Sequence, residues 1–102
     1  MLKSRVFTIP IHRRYAEVYG LLSEPTNISR WGGTEPGTEM VHLGGSDYRV
    51  QLPRGVRVMR FTPPNEFGVL DYQVFLEGEA GGPTTPVRLH PNQDGCELTF
   101  TW

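Results

Sequence analysis

A chain of 102 residues is one domain's worth of protein, with a thin core, and its 37% hydrophobic content is ordinary for a globular fold. The formal net charge of −1 carries no basic excess, which excludes nucleic acid and anionic membrane surfaces as expected partners. Cys96 is the only cysteine, so neither an intrachain disulfide nor a thiolate metal cluster can form.

In chain order, residues 3–9 read as a first strand, with Phe7 and Ile9 on one face, Val6 and Thr8 on the other, and Pro10 as its end. Tyr15, Val18, Tyr19 and Leu22 then fall at the spacing of an amphipathic helix. Its start is poorly capped, because His12 or Ile11 stands where Ser or Asp is preferred. Pro25 closes this helix and is suited to open a second, over residues 26–31, with Ile28 and Trp31 on one side and Gly32-Gly33 as the exit. Asp47–Leu52 alternates, with Tyr48, Val50 and Leu52 facing one way. Residues 56–62 and 69–76 read as further strands, the second placing Leu70, Tyr72, Val74 and Leu76 on one face. After a short strand at 87–90, Asp94-Gly95 makes a hairpin turn. Residues 96–102 alternate most clearly, with Cys96, Leu98, Phe100 and Trp102 on one face.

This order predicts an α+β fold: a meandering antiparallel sheet with one buried face, curved into a half-barrel, and helices grouped at its mouth. No apolar run approaches the roughly eighteen residues of a membrane span, and the first fifteen residues lack the apolar core of a signal peptide. The expectation is a soluble, cytoplasmic protein.

Four features in sequence carry a resemblance: the "YAEVYGLLSEP" helix after a strand, the "SEPTNISRW" break, the "YRVQLPRG" strand and turn, and "PPNEFGVLDYQV" leading to "VRLHPNQDGCELTFTW". Together they resemble the START/SRPBCC superfamily of polyketide cyclases and lipid-transfer-like domains, over nearly the whole chain. The resemblance implies a single domain over residues 1–102 with a helix-grip fold. In that fold about six to seven antiparallel strands, with two short helices after the first, curve around a long C-terminal helix and leave a cavity. Trp31 would plug one end. The chain stops at Trp102, where that helix is due, so the domain is expected either to be C-terminally incomplete or to have its grip filled by something else.

Catalytic signatures are mostly absent: there is no zinc-protease helix, phosphate-cradling glycine loop or nucleophile elbow, and no cofactor is expected. His12, His42 and His90 lie on different elements and read as isolated imidazoles rather than metal ligands. Tyr48 and Tyr72 sit on apolar faces, where each hydroxyl needs a partner. Each is either a core tyrosine or the polar point of an apolar pocket. Asp71 points away from Tyr72 and reads as a solvated strand residue. Arg60 shares parity with Val56 and Val58. It is either a snorkelling edge residue or an inward cation able to hold an enolate or carboxylate, although Met59 and Phe61 claim the inner face equally well.

The candidate ligand set is therefore Tyr48, Arg60, Tyr72, Leu98 and Phe100, with Trp31 at the end. Three functions compete. One is binding of a small hydrophobic or aromatic ligand. The second is a cyclase or aromatase activity assisted by Tyr72, His42 or Arg60. The third is self-association, most simply a homodimer, through an open groove or edge.

Overall fold

A computed structural model of the chain describes residues 5–30 and 38–101. Trp31 and Trp102 lie outside them, so the expected plug and the last expected inner-face residue have no structural description.

The elements run β1 (Val6–Ile11), α1 (Tyr15–Leu22), a 3-10 segment (Pro25–Arg30), β2 (Met40–Gly44), β3 (Asp47–Leu52), β4 (Gly55–Phe61), β5 (Tyr72–Phe75), β6 (Thr84–Thr85), β7 (Val87–Asn92) and β8 (Gly95–Thr101). The fold is α+β, mostly antiparallel strand, with one α-helix. The expected second helix is the 3-10 segment, too short to complete α-helical turns between Pro25 and the two glycines. The N-cap of α1 is Arg14, later in the chain than the expected His12 or Ile11, and it too makes no side-chain cap.

The strands form two sheets, ordered β1-β8-β7 and β2-β3-β4-β5-β6, where one curved sheet was expected. The division has a local cause. Tyr72 pairs with Thr85 and Gln73 with Thr84, while Val69 pairs with Arg88 in the same register. The ladder fails only between them, where Asp71 stands opposite Pro86. Pro86 directs its carbonyl to Thr101 N of β8, so the bond missing from the ladder is the one from Val87 N to the Leu70 carbonyl: Val87 N turns instead to the Asp71 carboxylate at 2.8 Å. Beyond the break, backbone pairing resumes from Leu70 N to Val87 O at 2.8 Å and from Leu89 N to Gly68 O at 2.9 Å. One stretch of chain, residues 68–75, thus serves both sheets.

β1 continues through Pro10 to Ile11, two residues past its expected end. Hydrogen-bond direction explains this. Thr101 N donates to Pro86 O, so Thr101, Thr99 and Glu97 direct their backbone groups towards β7. Cys96, Leu98 and Phe100 then serve β1, through Ile11, Ile9 and Phe7. Pro10, of the other parity, faces the open edge, where its missing N–H breaks no ladder bond.

Two buried clusters lie on the same side of the molecule. In the first, Val18 and Leu22 of α1 cover Leu70, Val87, Leu89, Cys96 and Leu98. In the second, Ile28 of the 3-10 segment, fully buried, caps Val50 and Met59. Tyr72 packs against both clusters, so the inner faces of the two sheets meet at this side chain.

Candidate ligand groove and inner face

The inner face of the larger sheet follows from register. Tyr48 pairs with Met59, Met59 with Val74, and Phe61 with Tyr72, and paired residues project to one side. Aromatic rings run along it. His42 lies 4.8 Å from Tyr48, Tyr48 meets Phe61 edge-on at 5.7 Å, and Phe61 lies 6.3 Å from Tyr72, measured between ring centres. Such spacings suit tilted and edge-to-face contacts. Neither Tyr48 nor Tyr72 has a hydrogen-bond partner for its hydroxyl among the described residues, and both are half-buried.

Beside this face, α1 and the smaller sheet enclose an open groove of about 770 Å³. Ile9, Ile11 and Leu98 form its floor, and Val18, Leu21 and Leu22 its wall. Asn27 closes one end and donates from Nδ2 to the Leu21 carbonyl at 3.0 Å. Arg13 and Glu17, an ion pair at 3.5 Å, also line it. The groove is apolar with a few polar groups, the composition of small-molecule sites.

The expected site residues divide. Leu98 lines the groove, and Phe100 and Tyr72 pack against the cluster beneath α1. Tyr48 lies farther along the same face, at the other end of the aromatic row. Arg60 does not line the groove, although with Phe61 and Tyr72 it borders a separate cavity of about 230 Å³. It pairs with Asp47 and Gln73, and so occupies the outer face. There its Nε and Nη2 donate to the two Asp47 carboxylate oxygens at 2.7 and 3.0 Å, and its Nη1 donates to Ala80 O at 2.9 Å. Its guanidinium also lies 5.0 Å from the centre of the Phe75 ring. The cause is steric: Met59 and Phe61 are the residues that meet Tyr48, Val74 and Tyr72, which leaves the outer side for Arg60.

Both parities of β4 are apolar, which hid this from sequence reasoning: Val58 and Met59 are both buried. The available signal was charge, because Asp47 and Arg60 can pair only if both lie outside. The glycine-rich stretch after β5 reads as a loose hairpin end but is held against the outer face. Arg49 reaches Glu77 through two hydrogen bonds, and Gln73 Oε1 accepts from Gly82 N at 3.2 Å.

The carboxylates of Asp47, Asp71 and Glu77 all hold arginines. Arg60, Arg88 and Arg49 respectively, by direct hydrogen bonding, keep these acids below the usual carboxylate range. Burial raises the Cys96 thiol, the opposite of an activated nucleophile. No group of three metal-ligating side chains converges among the described residues.

No family model matches the chain, and no curated protein does. Solved structures do. An uncharacterised protein from Bacillus thuringiensis superposes with a TM-score of 0.72 at 12% identity, over 97% of this chain and 75% of its own. The Aha1 dimer from Colwellia psychrerythraea gives 0.68 at 14% identity, over 98% and 75%. A Bacillus halodurans protein gives 0.67 at 13% identity, over 98% and 67%. At such identities the likeness is one of fold. Among the described residues no helix is long and apolar enough to cross a membrane.

Proposed function

We propose that this chain is a helix-grip domain of the START/SRPBCC kind that binds a small hydrophobic or aromatic ligand between α1 and the inner faces of its sheets. The observation that carries the reading is the groove of about 770 Å³ with an apolar floor and wall, continuous through Leu98 with the cluster that holds Tyr72. That volume lies within the roughly 300–1,000 Å³ typical of ligand sites. Tyr72 itself borders a separate cavity of about 230 Å³; the residue is half-buried, and its hydroxyl has no protein partner among the described residues.

The reading is tested by native mass spectrometry of freshly purified protein, for a retained ligand, together with titration of the fluorescent dye anilinonaphthalene sulfonate. Leu21, on the groove wall and 45% exposed, can be changed to Arg without emptying the core. Leu21→Arg should weaken dye binding, and Val56→Arg, on the outer face, should not. Equal binding by all three proteins would remove the groove as the site.

A second reading, self-association, is supported by one specific feature: Val6, Phe7 and Ile9 of β1 are 61%, 47% and 47% exposed. The Colwellia structure similar in fold is itself a dimer.

A further inference from the structure

We propose that the open edge of β1 pairs antiparallel with the same edge of a second copy, with the twofold axis at Phe7 and Val6 opposite Thr8 of the other chain. This deepens the self-association reading and rests on it. Phe7, Ile9 and Ile11 spend their backbone groups on β8, so Val6, Thr8 and Pro10 direct theirs outward. Val6 and Thr8 therefore present two N–H donors and two carbonyl acceptors that nothing among the described residues satisfies. Inverting the strand about Phe7 brings each Val6 against the other copy's Thr8, and every one of these groups finds its complement. A register centred on Thr8 would set Val6 against Pro10, which has no N–H, and would leave the Val6 carbonyl unmatched.

The occupant is a second copy because the edge is complementary to itself. An antiparallel pair has a twofold axis, so one surface serves both partners. Val6–Ile11 contains no charged side chain, so two copies meet without repulsion and without the lysine or inward charge that usually blunts a free edge. The outer strand of the larger sheet differs: the register of β2 shifts between His42 and Gly44, an irregularity of the kind that protects an edge. Pairing at β1 would join the two three-stranded sheets into one of six strands and carry the inner faces across the dimer.

Two variants test this on the full chain. Thr8→Pro removes an outward N–H while sparing every bond to β8. By sedimentation equilibrium it should raise the dimer dissociation constant about tenfold or more, since each dimer loses two hydrogen bonds. Its far-ultraviolet circular dichroism should match wild type, and Thr8→Val, which keeps the N–H, should dimerise normally. Phe7→Cys should form a disulfide-linked dimer on mild oxidation, because a non-hydrogen-bonded antiparallel pair places its Cα atoms about 4.5 Å apart, within disulfide reach. Cys96 is fully buried and does not compete. A monomeric wild type would overturn both the pairing and self-association. A dimer that Thr8→Pro leaves intact and Phe7→Cys fails to cross-link would overturn the β1 edge alone, leaving self-association through another surface.

Discussion

Asp71 and Arg88 form a two-point pair at the break between the sheets. Arg88 Nε donates to Asp71 Oδ1 at 3.0 Å, and its Nη2 donates to Oδ2 at 2.8 Å. Oδ1 also accepts from Val87 N at 2.8 Å. The carboxylate thus takes the place of the Leu70 carbonyl as acceptor for Val87 N, and the ladder is interrupted there. Its side chain is 19% exposed and that of Arg88 45%, so the Val87 bond is the better shielded of its interactions. Asp71→Ala should lose about 1.5–3 kcal/mol in urea unfolding, the range for hydrogen bonds to charged groups. Arg88→Ala should cost less, about 0.2–1 kcal/mol, as for exposed ion pairs.

The same carboxylate sets a pH dependence. Hydrogen bonding to Arg88 first, and to Val87 N as well, lowers the Asp71 carboxyl from its ordinary value against the opposing effect of burial. Asp47 is lowered in the same direction by Arg60. A depressed carboxyl binds its proton more weakly folded than unfolded. Its contribution is therefore fully present above the unfolded value of about 3.9 and is lost as pH falls through the folded value. Unfolding free energy should be level from neutral pH down to about 5 and should decline below about 4. In Asp71→Asn the decline should be shallower. An identical acid limb in the variant would show that Asp71 contributes nothing to it.

Ile28 is the buried member of the short 3-10 segment and caps Val50 and Met59. Truncating a side chain that is fully enclosed leaves a cavity that the surrounding sheet cannot collapse to fill. Ile28→Ala should cost about 2–5 kcal/mol, read as a shift of the urea midpoint with little change in slope. A loss within experimental error would mean that the segment does not close the larger sheet.

Gly68 adopts φ +69 where the chain crosses between the sheets, and a Cβ there would collide with the Leu89 carbonyl and approach the Tyr15 hydroxyl to 2.9 Å. The Leu89 carbonyl belongs to backbone that also donates to Gly68 O, so it cannot retreat without loss. Gly68→Ala should destabilise by about 1–3 kcal/mol, from the left-handed conformation and the clash together. A melting temperature equal to wild type would contradict this packing.

Local pattern alone located α1, β3, β8 and the Asp94-Gly95 hairpin, because each has one apolar periodicity and a turn residue to end it. Val18 and Leu22 fall where the helical stripe puts them, and Cys96 and Leu98 where alternation does. β2 carries no clear strand signal because its apolar residues fall on both faces: Met40 packs against the second cluster, whereas Val41 and Leu43 are exposed. Pro10 reads as a strand end in the sequence because only a neighbouring strand decides which way an N–H points. The sequence leaves Arg60 open between an edge and an inward position for a related reason. Alternation sorts residues into two sets but does not say which set meets the core, and in β4 both sets are apolar. Tertiary pairing decided it, by setting Arg60 beside Asp47 and Met59 beside Tyr48 and Val74. The role of Asp71 likewise depends on Val87 and Arg88, sixteen and seventeen residues onward. A contact made by folding the chain back on itself leaves no trace in the local sequence around either residue.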